Sequence, residues 1–428
     1  MVDSERKIFY GWYIVGIAFI AVGMAYGYRY IFGVFFPAML HEFHWSRTAL
    51  SAALSLSMLV NAVFEPVAGT LVDRYGPRWL LSAGAVLVGV ALMLISRISE
   101  LWQLYLIYGV LVAIGVNGMG IVVNTTMVNN WFLQKRGTAL GILAAGAGVG
   151  TLIFSPLAER LIAAFGWRGA FIVLGLLVIV LVVPSTLFVA KTKPEDIGEV
   201  PDGKTSTPKP GSQPKRPVIV RPDVNLSFGE IVRSPAYYML IASGICFAIA
   251  WFQITTHQVI YAVGLGISQA NAAAAFGLVG GVSVIAKLGF GVWADRLYDR
   301  KYAPAVGLAF FALGNIILLM TKNVITLYVY AIVLGIGYGG NALAGTVLGD
   351  RFGRASFGKA LGFMSVGTAI GAALGPVLGG RIYDVYQSYA LAWQIGVALS
   401  IVAFLLMLFL PKTVSEDANK SAGIPQTN

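Results

Sequence analysis

Arg29 and Lys287 each stand inside a run of apolar residues, Arg29 in YGYRYIFG and Lys287 in VIAKLGFG. An ionisable group within a membrane-spanning helix costs about 2.5–3.5 kcal/mol on insertion scales and marks a functional position by default. Both groups are cations, and the carboxylate at comparable depth is Glu65. Cations facing a water-filled cavity attract an anion, and a substrate carboxylate can partner both. Snorkelling to the headgroups is the competing account, stronger for Arg29 than for Lys287. His257 follows Gln253 by one turn on the same helical face. An unperturbed histidine titrates near ~6.5, so it can carry a proton or hydrogen-bond a substrate; a satisfied core histidine is the alternative. Asn117 and Asn124 share one face of a helix, as do Tyr338 and Asn341, for substrate contact or interhelical bonding. Tyr26 and Tyr30 flank Arg29, to shape a pocket or to anchor at the membrane interface. Glu65, one turn after Asn61 and followed by Pro66, reads either as a proton carrier or as a partner for a charged latch.

The elements that must position these groups are membrane helices. The chain has 428 residues, 57% hydrophobic and 11% charged, whereas a soluble domain carries about 25% charged residues. Apolar stretches such as 79–96, 171–190, 302–320 and 393–410 approach the ~20 residues a helix needs to cross a bilayer. They lack the alternation of a β-barrel strand. Twelve spans are expected, at 10–40, 46–71, 79–97, 102–131, 137–164, 168–190, 236–263, 268–294, 303–321, 324–350, 357–385 and 389–411. The first is too long for the core of a cleavable signal peptide and reads as a span. Cys246 is the one cysteine, so no intrachain disulfide forms, and no metal cluster or cofactor is suggested.

The net charge of +11 is topological. Twenty-two Lys and Arg fall on the side of the expected spans that holds both termini, and six on the other. The basic side is expected to be cytoplasmic, which makes the chain a multi-pass protein of the cell (inner) membrane with both termini inside. Nucleic acid is not an expected partner. Residues 191–235, with seven prolines between Pro194 and Pro222, read as a cytoplasmic linker. The expected domains are a six-helix bundle over 1–190, this linker, a second six-helix bundle over 236–412 and a cytoplasmic polar tail over 413–428.

The two bundles echo each other. GTLVDRYGPR from Gly69 matches GVWADRLYDR from Gly291, and RGTALGILAAGAGVGTLIFSP from Arg136 matches FGKALGFMSVGTAIGAALGP from Phe357. Two related bundles suit alternating access to a site held between them. In the first pair, the glycines Gly69 and Gly291 permit close helix approach, and Asp73 and Asp295 can accept bonds from arginines or helix N-termini. Gly69, Asp73, Arg74, Arg78, Gly291, Asp295 and Arg296 thus read as a conformational latch, with a simple tight turn as the alternative. The glycine ladder of spans 5 and 11 reads as packing.

The Gly69–Arg78 stretch and its second copy resemble the signature of the major facilitator superfamily. YGWYIV at 10–15, WFLQKRGTALGI at 131–142, HQVIYAVGLGIS at 257–268 and KLGFGVWADR at 287–296 resemble the bacterial monocarboxylate and oxalate:formate exchanger group. The resemblance implies an all-α membrane fold of twelve transmembrane helices in two pseudo-symmetric bundles. It also implies transport of small carboxylates by proton symport or anion exchange, with spans 1, 4, 7 and 10 lining the cavity. It carries a functional reading onto His257, Tyr338 and Lys287. Relatives commonly hold Arg where this chain has Lys287, so the cation is kept without the bidentate fork of a guanidinium.

The expectation is a non-enzymatic secondary transporter of a small organic monocarboxylate, working as a monomer in the bilayer, with H+ as a coupled ion or anions exchanged. Arg29, Lys287, Tyr338, Asn117, His257, Asn341, Gln253 and Tyr26 are the candidate substrate residues, and His257 and Glu65 the proton-coupling candidates. A proton-driven exporter of drug-like solutes is the nearest rival, through GAALGPVLGG at 371–380. A non-transporting membrane sensor is the rival of another class, against which stands the lack of any signalling module in the loops.

Overall fold

The computed structural model describes residues 9–202, 226–353 and 356–411. The expected tail over 413–428, the linker between 203 and 225, and the basic Arg6 and Lys7 lie outside the described residues. The spans are α1 (Gly11–Phe43), α2 (Arg47–Tyr75), α3 (Pro77–Ile95), α4 (Leu101–Trp131), α5 (136–165), α6 (167–189), α7 (Pro235–Gly264), α8 (Gln269–Ala294), α9 (Tyr302–Leu319), α10 (Val324–Phe352), α11 (Phe357–Tyr386) and α12 (Ala390–Leu408). Helical hydrogen bonding runs through Arg136–Val189 without a break, but Gly166 sits at φ +68°, ψ 168°. A left-handed φ is open to glycine at little cost and ends the helical path there, which makes two spans of one long stretch.

Local chemistry sets the ends. Ser46 caps α2 by accepting from the Ala49 amide, and Asn323 caps α10 through Thr326. Gly76 at φ +80°, followed by Pro77 at the first turn of α3, makes the α2–α3 connection a one-residue turn. α1 is interrupted at the single residue Ile31, and two further spans are broken midway. In α4 the helix lapses at Met119 and Gly120, and in α10 at Ala342 and Leu343. A break inside a membrane survives when side chains re-satisfy the freed carbonyls. Asn124 does this in α4, its Nδ2 donating to both Met119 O and Gly120 O at 2.8 Å. Asn124, read for substrate contact or interhelical bonding, is fully buried in this repair.

The repeated glycines do matching work. A Cβ at Gly150 of α5 would fall 1.9 Å from Gly23 O of α1, and one at Gly371 of α11 would fall 2.8 Å from Ile245 O of α7. Backbone meets backbone at both places. The ladder's other ends differ, because Gly137, Gly141, Gly358 and Gly362 have no neighbour within 4 Å of a Cβ. Packing explains the inner glycines and leaves the outer ones without a contact.

The chain forms two compact units. One comprises Met1–Ser212, Ile254–Gly281 and Pro376–Gln387; the other comprises Gln213–Gln253, Val282–Gly375 and Ser388–Asn428. The first unit therefore holds α1–α6 together with parts of α7, α8 and α11.

Candidate substrate site

In the first unit, α1, α2 and α4 enclose a polar cavity of about 100 Å³ lined by Tyr26, Arg29, Asn61, Glu65, Asn117 and Gly120 among others. Helical spacing explains the set. Tyr26 and Arg29 are three apart on α1, and Asn61 and Glu65 four apart on α2, so each pair shares a face. Arg29 is half-buried, its guanidinium carbon 5.5 Å from the Tyr26 ring centre. Tyr108 donates to the Arg29 carbonyl at 3.2 Å and holds the α1 backbone there. Among the described residues no ion pair within 4.0 Å joins Arg29 to Glu65. Asn117 donates through Nδ2 to Asn61 Oδ1 at 2.8 Å and to Ala113 O at 3.1 Å. Asn61 entered the sequence reading only as a neighbour of Glu65; that two asparagines on different spans would meet was not visible from spacing within either.

In the second unit, Lys287 of α8 is half-buried, with Nζ 5.0 Å from the ring centre of Tyr338 on α10. Tyr338 is stacked on Trp251 of α7, ring centres 3.9 Å apart and planes 7° from parallel. The two helices approach closely because Gly339 lies against Ala286 and the Lys287 amide. An ammonium over an aromatic face gains about 0.5–2 kcal/mol, depending on desolvation. The ring stack thus fixes the tyrosine that faces the cation. Asn341 is half-buried and ends the helical stretch Val324–Asn341. Gln253 is fully buried and donates to Ala392 O on α12 at 3.0 Å, which turns its amide nitrogen to a helix contact.

His257 packs among helices of the first unit. It is fully buried in the first unit, with Nε2 2.8 Å from Pro376 O of α11 and 3.3 Å from Ser51 Oγ of α2. It is not among the residues lining the Arg29 cavity. A carbonyl can only accept, so Nε2 carries a proton toward Pro376. Beside it Asp384 of α11 caps the first turn of α2. It accepts from the Arg47 amide at 3.0 Å, the Thr48 amide at 2.8 Å and the Thr48 hydroxyl at 2.5 Å. The Arg47 guanidinium lies 3.3 Å above the Tyr383 ring centre. The sequence reading missed this cluster; an acidic residue at the end of an apolar helix was its one local sign.

The latch residues divide. A Cβ at Gly69 or Gly291 would meet no atom within 4 Å, so close packing does not account for either glycine and that part of the expectation is corrected. Asp73, Arg74 and Arg296 are exposed. Arg78 donates to Leu187 O and ties α3 to the end of α6. Asp295 pairs with Arg300 at 2.9 Å, and Arg300 also reaches Asp350 at 3.2 Å. Asp299 and the buried Arg351 pair at 2.5 Å. Asp299, Asp350 and Arg351 went unread; the Asp-Arg doublets at 299–300 and 350–351 are the signal that could have found them.

A family model described as Major Facilitator Superfamily matches residues 18–301 and 282–427. Monocarboxylate transporter 2 of Homo sapiens is 26% identical over 412 residues, covering 93% of this chain and 85% of that protein. Monocarboxylate transporter 3 of Rattus norvegicus is 28% identical, covering 93% and 79%. A solved bacterial homologue of the human lysosomal transporter Spinster, inward-facing and unoccupied, superposes with a TM-score of 0.72. It covers 95% of this chain and 97% of the other at 16% identity, a likeness of fold.

Proposed function

Because this chain belongs to the major facilitator superfamily, we propose that it carries a small organic monocarboxylate anion across the cell membrane by alternating access. It is a transporter and not an enzyme. The observation that carries the substrate reading is the pair of cations inside the spans. Arg29 lines a polar cavity without an ion-pair partner among the described residues, and Lys287 lies over the Tyr338 ring. The names of the relatives, monocarboxylate transporters over nine-tenths of this chain, support an anionic cargo.

Each cation meets the substrate carboxylate in the course of the transport cycle, and the anion offsets the cost of enclosing a bare charge. Tyr338 and Tyr26 shape the surroundings of Lys287 and Arg29. Asn117 contacts the cargo, and Asn341 and Gln253 support the helices around it. Glu65, on the same cavity as Arg29, carries the coupled proton, and His257 belongs to the contact of α2 with α11. Asp73 and Asp295 act as latches on the cycle. Both termini face the cytoplasm.

The test is uptake of radiolabelled monocarboxylates into proteoliposomes holding the purified full chain. Lys287→Ala should lower kcat/KM at least about tenfold, as expected when a charge-assisted bond is lost. Lys287→Arg should retain uptake. Undiminished uptake by a folded Lys287→Ala protein overturns the assignment.

A further inference from the structure

Asn61 is buried at the cavity wall, and its amide orientation is set by the backbone. Its Nδ2 donates to Ser57 O at 2.5 Å, and a carbonyl can accept but never donate. Asn61 therefore turns Oδ1 to Asn117, whose Nδ2 donates to it at 2.8 Å and to Ala113 O at 3.1 Å. An amide nitrogen has two hydrogens, and both of Asn117's are used. Neither side chain can flip without opposing two acceptors. Asn117 lines the cavity, and with both amide hydrogens taken the group it has left to offer there is its carbonyl oxygen, an acceptor.

An acceptor in this wall discriminates by chemistry. A carboxylate or a keto oxygen turned toward it meets like with like, whereas a hydroxyl donates to it. The donors for a carboxylate, Arg29 and the Tyr26 hydroxyl, line the same cavity, and an ionised Glu65 adds a further acceptor. We infer that Asn61 is a specificity-determining positioning residue, which by holding the Asn117 amide selects 2-hydroxy monocarboxylates over their 2-oxo analogues. The inference rests on the monocarboxylate reading above and narrows its substrate class. Asn61 acts through Asn117.

The experiment compares uptake of L-lactate and pyruvate, acids that differ at carbon 2, by the full chain in proteoliposomes. The wild type should favour lactate by about tenfold in kcat/KM, the worth of one well-placed hydrogen bond. Asn61→Leu frees an amide hydrogen of Asn117 to turn inward, so the ratio should fall to about one, within the error of that bond energy. Asn117→Leu removes the acceptor itself, should also collapse the ratio, and serves if Asn61→Leu does not fold. Equal uptake of both acids by the wild type overturns the inference while leaving monocarboxylate transport standing. So does a lactate preference that survives in folded Asn61→Leu and Asn117→Leu. Uptake of no monocarboxylate at all overturns the functional reading and this inference together.

Discussion

Glu65 is the residue whose role the structure reframes most. From its place one turn after Asn61 it reads as a proton carrier or, by preference, as a partner for the charged latch, and it lines the cavity that Arg29 also lines. A carboxyl and a guanidinium on one cavity wall put the coupling role of Glu65 to a direct test. Glu65→Gln fixes the neutral form. Uptake driven by an inward proton gradient should fall severalfold in this variant, whereas exchange of internal for external substrate, which moves no net proton, should persist. Gradient-driven uptake at the wild-type rate would remove Glu65 from the coupling. Lys287 teaches the opposite lesson. Its place inside an apolar run is enough to single it out, but its neighbours are not local in sequence: Tyr338 lies on α10 and Trp251 on α7.

Among the elements, α5 shows what a repeat can and cannot reveal. The echo between spans 5 and 11 identifies the glycines as a set, and the backbone contacts show which members are needed. Gly150→Val places a side chain on Gly23 O, and overpacking of this kind costs about 1–3 kcal/mol or more. Its thermal midpoint in detergent should drop by several degrees. Gly141→Ala, with open space about its Cβ, should hold or raise that midpoint, since alanine favours a helix over glycine by about 1 kcal/mol. Equal midpoints for the two variants would contradict this account. Most of the spans were legible because hydropathy sets them, while the division of Arg136–Val189 into two rests on the turn at Gly166. The broken middles of α4 and α10 were not, because a lapse at Met119 leaves no mark in hydropathy and its repair by Asn124 is tertiary. Asn124 and Asn117 share a helical face by spacing, but the intervening break gives them different tasks. His257 carried a functional reading by resemblance and a core reading by its apolar surroundings, and its contact with Pro376, 119 residues away, is tertiary and could not be read from spacing.

For the whole molecule, the distribution of Lys and Arg makes a prediction that contacts do not supply. A fluorescent protein fused after Asn428 should fold and fluoresce in the cell, and alkaline phosphatase at the same point should be inactive; the reverse pattern would invert the orientation. The first compact unit also draws in Pro376–Gln387 from far along the chain. Asp384 is one of the residues that hold this segment, and two of its three bonds here are made to main-chain amides, those of Arg47 and Thr48. A fastening made to main-chain nitrogen is blind to the side-chain alphabet. A change of side chain at position 47 costs the stacking on Tyr383 but leaves both amides in place. Of the twenty residues, proline is the one that would delete such an amide. Descendants of this chain can therefore change the side chain at position 47 and keep both amide bonds, whereas a change at Asp384 loses all three.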